Sequence, residues 1–247
     1  MGQKKVIYTF YAISGSKNVG KPKMQTRSYI HPFDKCIQNW FAEASILEST
    51  LVALKTSYSS LREAFLRSDN TGCYHNAYLI LSSASLGVCV GIGILRYDLS
   101  DPQAGKDVCD RRIATRKSHV RRIISEGNDI NTANYMKVAI ESYVGVKGIY
   151  VTVAEIQDSF QSITKHSMTG NRALNNFLFE SAGQRAWKAY NVGTGRVFSL
   201  AQLQKYCIPQ GSTGVKKLQP FSQKKMQPLQ DVGTFRAGAM QAQVVGP

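Results

Sequence analysis

Apolar residues recur at alternating steps of four and three through Trp40, Ala44, Leu47, Leu51, Leu54, Tyr58, Leu61 and Phe65. That spacing predicts a long helix opened by Asp34 after Pro32, with one continuous apolar seam. The positions flanking the seam are mostly Ser, Thr, Ala and Lys, without paired opposite charges, so the pattern fits a core helix of a bundle better than a two-stranded coiled coil. Residues 76–95, NAYLILSSASLGVCVGIGIL, carry no charge. Twenty such residues can span a bilayer, and Gly87 and Gly91 form a GxxxG pair. The Asn, three serines and three glycines lower the apolarity of the run, so it is expected to be a buried core element, with Val88–Leu95 also readable as a strand.

Further on, Cys109, Ile113, Val120 and Ile124 make one apolar stripe over residues 106–125, with Asp107 and Asp110 in the first turn and Gly127 as a stop. Residues 130–146 read as a short amphipathic helix through Tyr135, Val138, Ala139 and Ser142. Thr152 and Glu155 have the spacing of a capping box for a helix to about Ser167, and Ser199 and Gln202 for one ending near Pro209. Between them, Asn171–Tyr190 reads as a helix carrying Leu174, Phe177, Leu178 and Trp187. The β-branched and aromatic run Val6–Ile13 reads as a strand or extended arm. From Gln210 onward, Gln, Gly, Pro, Lys and Ser dominate, and such a segment cannot bury enough surface to fold alone.

The expected fold class is therefore mainly α. A basic N-terminal arm with a short β segment (1–33) leads into a helical-bundle core (34–209) and an extended basic C-terminal arm (210–247).

Charge changes the picture from fold to partner. The 247 residues hold 31 Lys+Arg against 16 Asp+Glu, a formal net charge of +15. Such an excess repels itself and calls for a counter-charge in the working complex, for which phosphate is the commonest source. Residues 1–33 hold six cations and no acid, and 210–247 hold five cations with only Asp231 acidic. The densest cluster lies on the helix at 106–125, where Arg111, Arg112, Arg116, Lys117, Arg121 and Arg122 fill the faces beside the apolar stripe, with His119 among them. Guanidinium forks suit phosphate, and no interleaved Glu stands ready to pair them. A second cluster joins Arg172, Arg185, Lys188 and Arg196 to Trp187 and Tyr190, where a base can stack beside a cation, although Trp187 also suits the core.

Catalytic chemistry finds little support. Gly15–Lys21 matches GxxxxGK after a strand-like run, but Pro22 replaces the Ser or Thr that holds magnesium and lacks an N–H. There is no GxSxG, HExxH or GxGxxG. The five cysteines are odd in number and widely spaced without a CxxC pair, as expected of reduced thiols, and the four histidines are dispersed. No enzyme, cofactor or metal site is expected. Met1–Lys5 starts like a myristoylation signal, but Val6 stands where Ser or Thr belongs. Thr152–Phe179 also admits a helix-turn-helix with Gly170 in the turn, a geometry shared by any two packed helices.

A helical body with cationic attachments and no active site resembles, in plan, the helical coat and nucleocapsid proteins of RNA viruses. The resemblance is one of layout over the whole chain and carries no residue across individually. It implies a virion or host-cytoplasm protein that binds single-stranded RNA without regard to sequence. It further implies self-assembly, with Val6–Ile13 and 210–247 docking on neighbouring copies. Two alternatives share the charge: a membrane-associated matrix-like protein and a ribosomal-type ribonucleoprotein component.

Overall fold

The structure, a computed structural model, describes residues 5–16, 25–70, 72–100, 108–143, 145–157, 173–204, 214–222 and 232–245. The chain opens with β1 (Lys5–Ser16) and β2 (Gln25–Pro32), followed by α1 (Trp40–Ser57), β3 (Glu63–Asp69), α2 (Ala77–Val90) and β4 (Gly93–Ser100). Then come α3 (Val108–Ser125), α4 (Ala133–Glu141) and the short strands β5 (Ile149–Val151) and β6 (Ala154–Ile156). Three more strands, β7 (Asn176–Glu180), β8 (Gly183–Trp187) and β9 (Arg196–Ser199), precede α5 (Leu200–Leu203), β10 (Val215–Lys217) and β11 (Val232–Val245).

Nine strands form one mixed sheet in the order β5-β2-β1-β11-β3-β4-β7-β8-β9, while β6 and β10 pair separately. Five of them, β3-β4-β7-β8-β9, make a mixed half in which β3 and β4 are parallel and the later strands antiparallel. The first and last strands join this half to β2 and β5. β1 runs antiparallel to both β2 and β11, and β11 meets β3 through the pair Met240 and Ser68.

Helices cover both faces. On one face, α1 and α2 pack over Tyr29, Ala64, Leu66, Ile94, Tyr97 and Phe177 in the main core. On the other, Met136 and Ile140 of α4 and Val120 of α3 pack over Ile30, Ile149 and Val151. Neighbouring residues Tyr29 and Ile30 therefore point into different cores, as the two-residue period of a strand requires. Arg27 shares the α1 face: its guanidinium donates to the Tyr150 hydroxyl at 2.5 Å and lies 5.0 Å from the centre of the Tyr58 ring. The aromatic faces offset part of the cost of burying that cation.

The fold is thus α/β, and the mainly helical expectation is overturned. Four helices, α1 to α4, stand close to where periodicity places them. The seam from Trp40 forms α1, but its N-cap is Asn39, whose side chain accepts from the Ala42 N–H at 2.9 Å. Asp34 instead accepts from the N–H of Ala133 at 2.6 Å, fixing the start of α4. The seam breaks after Tyr58, so Leu61 is buried beyond the helix end and Phe65 lies in β3. Lys55 holds this junction, donating to the carbonyls of Leu61 and Gly91 at 2.6 and 2.9 Å. The uncharged run divides into α2 and β4, with Gly91 in the left-handed C-cap conformation at φ 74°.

The larger departures lie later. Residues 176–187, expected to be helical, form the hairpin β7–β8. Phe177 is buried on one face and Trp187 on the other, so the polar–apolar alternation that marks a half-exposed strand is absent. The Thr152 side chain does not cap a helix but donates to the Gln219 carbonyl at 2.5 Å, and Ala154–Ile156 pairs with β10. By contrast, Ser199 and Gln202 do form a capping box, over the four residues of α5. Val6–Ile13 forms the strand that its residues predict, within β1, while the last part of 210–247, expected to be an extended arm, lies in β11 and pairs with β1 inside the sheet. Most of the Gly15–Lys21 candidate, and the helix-turn-helix turn at Gly170, fall outside the described residues.

Two consequences are measurable. Gly183 has φ 146°, and a Cβ there would overlap the Phe198 carbonyl oxygen of β9. Gly183→Ala is expected to lower the stability by about 2–3 kcal/mol, read from urea unfolding. His31 is fully buried, its Nε2 3.1 Å from Ser49 Oγ, and burial, helped by Lys217, pushes its pKa down from 6.5 to about 3. Because the unfolded chain binds this proton more readily, stability is intact above pH 6.5 and drains as the pH falls from 6.5 toward 3. His31→Gln should show a smaller loss of urea midpoint between pH 7 and pH 4 than the wild type, whatever its stability at pH 7.

Candidate nucleic-acid interface

α3 carries the densest cationic cluster, and its packing sorts the cluster into members that face solvent and one that does not. Ile113, Arg116 and Ile123 are buried, with Arg116 only 3% exposed. Arg111, Lys117, Arg121 and Arg122 are exposed on the remaining faces, and Arg112 lies on the same helix without a described side chain. Arg116 therefore belongs to the packed side of α3, not to its solvent surface. Sequence spacing missed this because Arg116 falls on the stripe between Ile113 and Val120, three and four residues from each.

The second expected cluster is dispersed. Arg172 lies outside the described residues. Arg185 pairs with Glu180 at 3.3 Å and donates to the Thr194 carbonyl at 3.1 Å. Trp187 is 5% exposed, donates to the Gly193 carbonyl and lies 5.4 Å from the Tyr190 ring, so it is core. Lys188 and Arg196 are exposed, the latter with its guanidinium 4.7 Å from the centre of the Phe198 ring. α3 packs on α4 and meets the sheet at β11, four strand positions from β8. At about 4.8 Å per strand that is about 19 Å of sheet, so the two clusters stand apart. The strand face between them is close to neutral, with Arg96 held by Asp98 at 2.8 Å and its guanidinium 4.1 Å from the centre of the Tyr190 ring.

What stands beside the α3 cations is α4 and the turn that follows it. Tyr135 and Val138 of α4 are 52% and 56% exposed, and Tyr143 is 61% exposed. Tyr143 adopts φ 56°, a left-handed conformation unusual for a bulky residue and held here by side-chain contacts. Its hydroxyl donates to the Glu126 carboxylate, while Arg122 donates to the same carboxylate at 3.0 Å and lies 4.6 Å from the centre of the Tyr143 ring. His119 meets that ring edge-on at 6.3 Å. The hydrogen bonds from Tyr143 and Arg122 hold the Glu126 carboxyl below its ordinary value, and the same bond to Glu126 raises the Tyr143 hydroxyl. Between the end of α3, the following loop and α4 lies a cleft of about 480 Å³, walled by Tyr135 and Tyr143.

The α3–α4 hairpin thus presents cations and open aromatic rings side by side, the two groups that contact phosphate and base in single strands. The cations were visible in the sequence; Tyr143 was not, because its role depends on a turn that only the folded hairpin defines. Among the described residues no group of His, Cys, Asp and Glu is arranged to hold a metal ion, and no helix is long and apolar enough to cross a membrane.

No protein-family model matches the chain, and no curated protein or solved structure is detectably similar to it.

The Glu126–Tyr143 contact is open to direct titration. Removing the phenolic donor in Tyr143→Phe should raise the Glu126 pKa toward the ordinary 4.5, observed by NMR of the side-chain carboxyl. No change would mean that the hydroxyl does not reach the carboxylate in solution.

Proposed function

We propose that this protein binds single-stranded RNA in a sequence-tolerant manner, through the exposed side of the α3–α4 hairpin. The observation that carries the proposal is the exposed Arg122 guanidinium against the exposed Tyr143 ring, on a helix that also exposes Arg111, Lys117 and Arg121 and packs on α4, which exposes Tyr135. Arg and Lys neutralise backbone phosphates and release counterions, while rings stack on any base, so neither contact demands a sequence. The chain's formal +15 favours the encounter over the whole surface, but Arg27 and Arg116 are buried and Lys137 is tied to Glu141 at 2.7 Å. The cations free to meet phosphate are therefore fewer than the total, and among the described helices α3 exposes the most.

In a coat-like protein such binding serves genome packaging. The segments expected to link subunits, Val6–Ile13 and 210–247, supply strands of this chain's own sheet, so subunits would join through other surfaces.

The test is binding of a labelled 12-nucleotide RNA at several salt concentrations. Lys117→Glu with Arg121→Glu should weaken binding at least about tenfold at low salt and reduce the dependence of log K on log salt by about two. An unchanged affinity in a folded double variant would remove α3 from the interface. Charge reversal at Arg116 is not a test, since the buried guanidinium is part of the packing.

A further inference from the structure

The cleft beside α3 differs in chemistry from the helix face next to it. None of the residues lining it is Lys or Arg; Ile123, Val138 and Ala139 supply apolar surface, and Glu126 and Asp129 are its only charged groups. Both Glu126 oxygens already accept hydrogen bonds, one from Arg122 and the other from Tyr143. On Asp129, Oδ2 accepts from Asn131 at 3.1 Å, and no hydrogen bond among the described residues reaches Oδ1. A phosphate entering here would meet carboxylates without a cation facing it, so the polyanion's backbone belongs outside, on Lys117 and Arg121. A neutral planar group has the opposite preference: aromatic walls to stack on, an apolar floor and a carboxylate to receive its N–H donors. The volume of about 480 Å³ is in the range of small-molecule pockets and accommodates a nucleobase with its sugar.

We infer that this cleft, walled by Tyr135 and Tyr143, takes a single unpaired nucleobase, with Asp129 accepting from the donor groups on the base's edge. The inference rests on the RNA-binding reading of α3 and adds to it a base-dependent contact that requires an unpaired strand. Arg122 connects the two parts. It lies over Tyr143 and shares with that ring the carboxylate of Glu126, which lines the cleft. The left-handed Tyr143 keeps its ring at the rim of the cleft, where the chain reverses after α4. A base in a duplex presents neither face to such a cleft, since both are stacked and its edge is paired.

The experiment compares three ligands of equal length with the full chain: a 12-nucleotide single-stranded RNA, the same strand with abasic sites throughout, and the corresponding duplex. It uses the wild type, Tyr135→Ala, and Val138→Trp, which fills the cleft from an exposed position without altering charge. The expected result is that the intact single strand binds about tenfold or more tightly than the abasic strand, and that Tyr135→Ala and Val138→Trp each abolish most of that margin. The inference is overturned if abasic and intact strands bind equally, or if both variants keep the full margin while remaining folded by circular dichroism. If binding nonetheless falls with Lys117→Glu and Arg121→Glu, the RNA-binding reading survives and only the base site is lost; if no strand binds at all, both are lost.

Discussion

The pairing of the first strand with the last holds this fold in one piece. β1 contributes the whole of its length to β11 and most of it to β2, and β11 meets β3. Without that central pair, β2 and β5 would have no sheet neighbour on the β1 side, and the five-stranded half would end at β3. The pairing spans more than two hundred residues of chain, from Lys5↔Val245 to Ser16↔Val232. Contacts of that separation bear a large loop-closure cost before they return any stabilisation, so the sheet's centre is expected to form after its local units. The α3–α4 hairpin is one such unit, since its two helices are joined by a short loop.

The distinction between local and distant contacts decides what could be read from the sequence. α1, α2 and α3 announce themselves because a helix satisfies its own hydrogen bonds and needs only one periodic stripe to show which way it faces. β11 announces nothing: its Gly, Ala and Gln residues have little strand preference, and its hydrogen-bond partners lie in β1 at the other end of the chain. The hairpin β7–β8 fails differently. Phe177, Leu178 and Trp187 imitate a helical stripe because side chains on both faces of these strands are covered. Gly183, whose positive φ permits the close approach of β9, was the available signal for a turn at this point.

For the site, the sequence located the cationic helix but not its orientation. A run such as Arg111, Arg112, Arg116, Lys117, Arg121 and Arg122 occupies every side of a helix, and only packing decides which side is covered. Arg116 falls on the covered side together with Ile113. Treating the six as equivalent overstates the interface, and the same holds for the net charge as a whole. Arg27 lies among Tyr58 and Tyr150, and Arg96, Lys137 and Arg185 each have a carboxylate within 3.3 Å. A formal charge describes the encounter with a polyanion, whereas the unpaired exposed cations describe the contact.

That separation gives the hairpin its character. Exposed ion pairs such as Arg122–Glu126 contribute little to stability by themselves, so their value here is geometric. Glu126 withdraws Arg122 partly from solution and, by accepting from Tyr143 as well, fixes an aromatic ring in a backbone conformation that costs free energy to maintain. The neighbouring Arg121 has no such tie among the described contacts and keeps its full set of donors for a phosphate. On the RNA-binding reading, two adjacent arginines on one helix would divide the work: one positions a ring, and the other would meet the backbone of the ligand. A uniformly cationic helix would bind a polyanion as tightly at low salt. It would not distinguish a strand with exposed bases from a chain of phosphates alone, and on the same reading the carboxylates lining the cleft would supply that distinction.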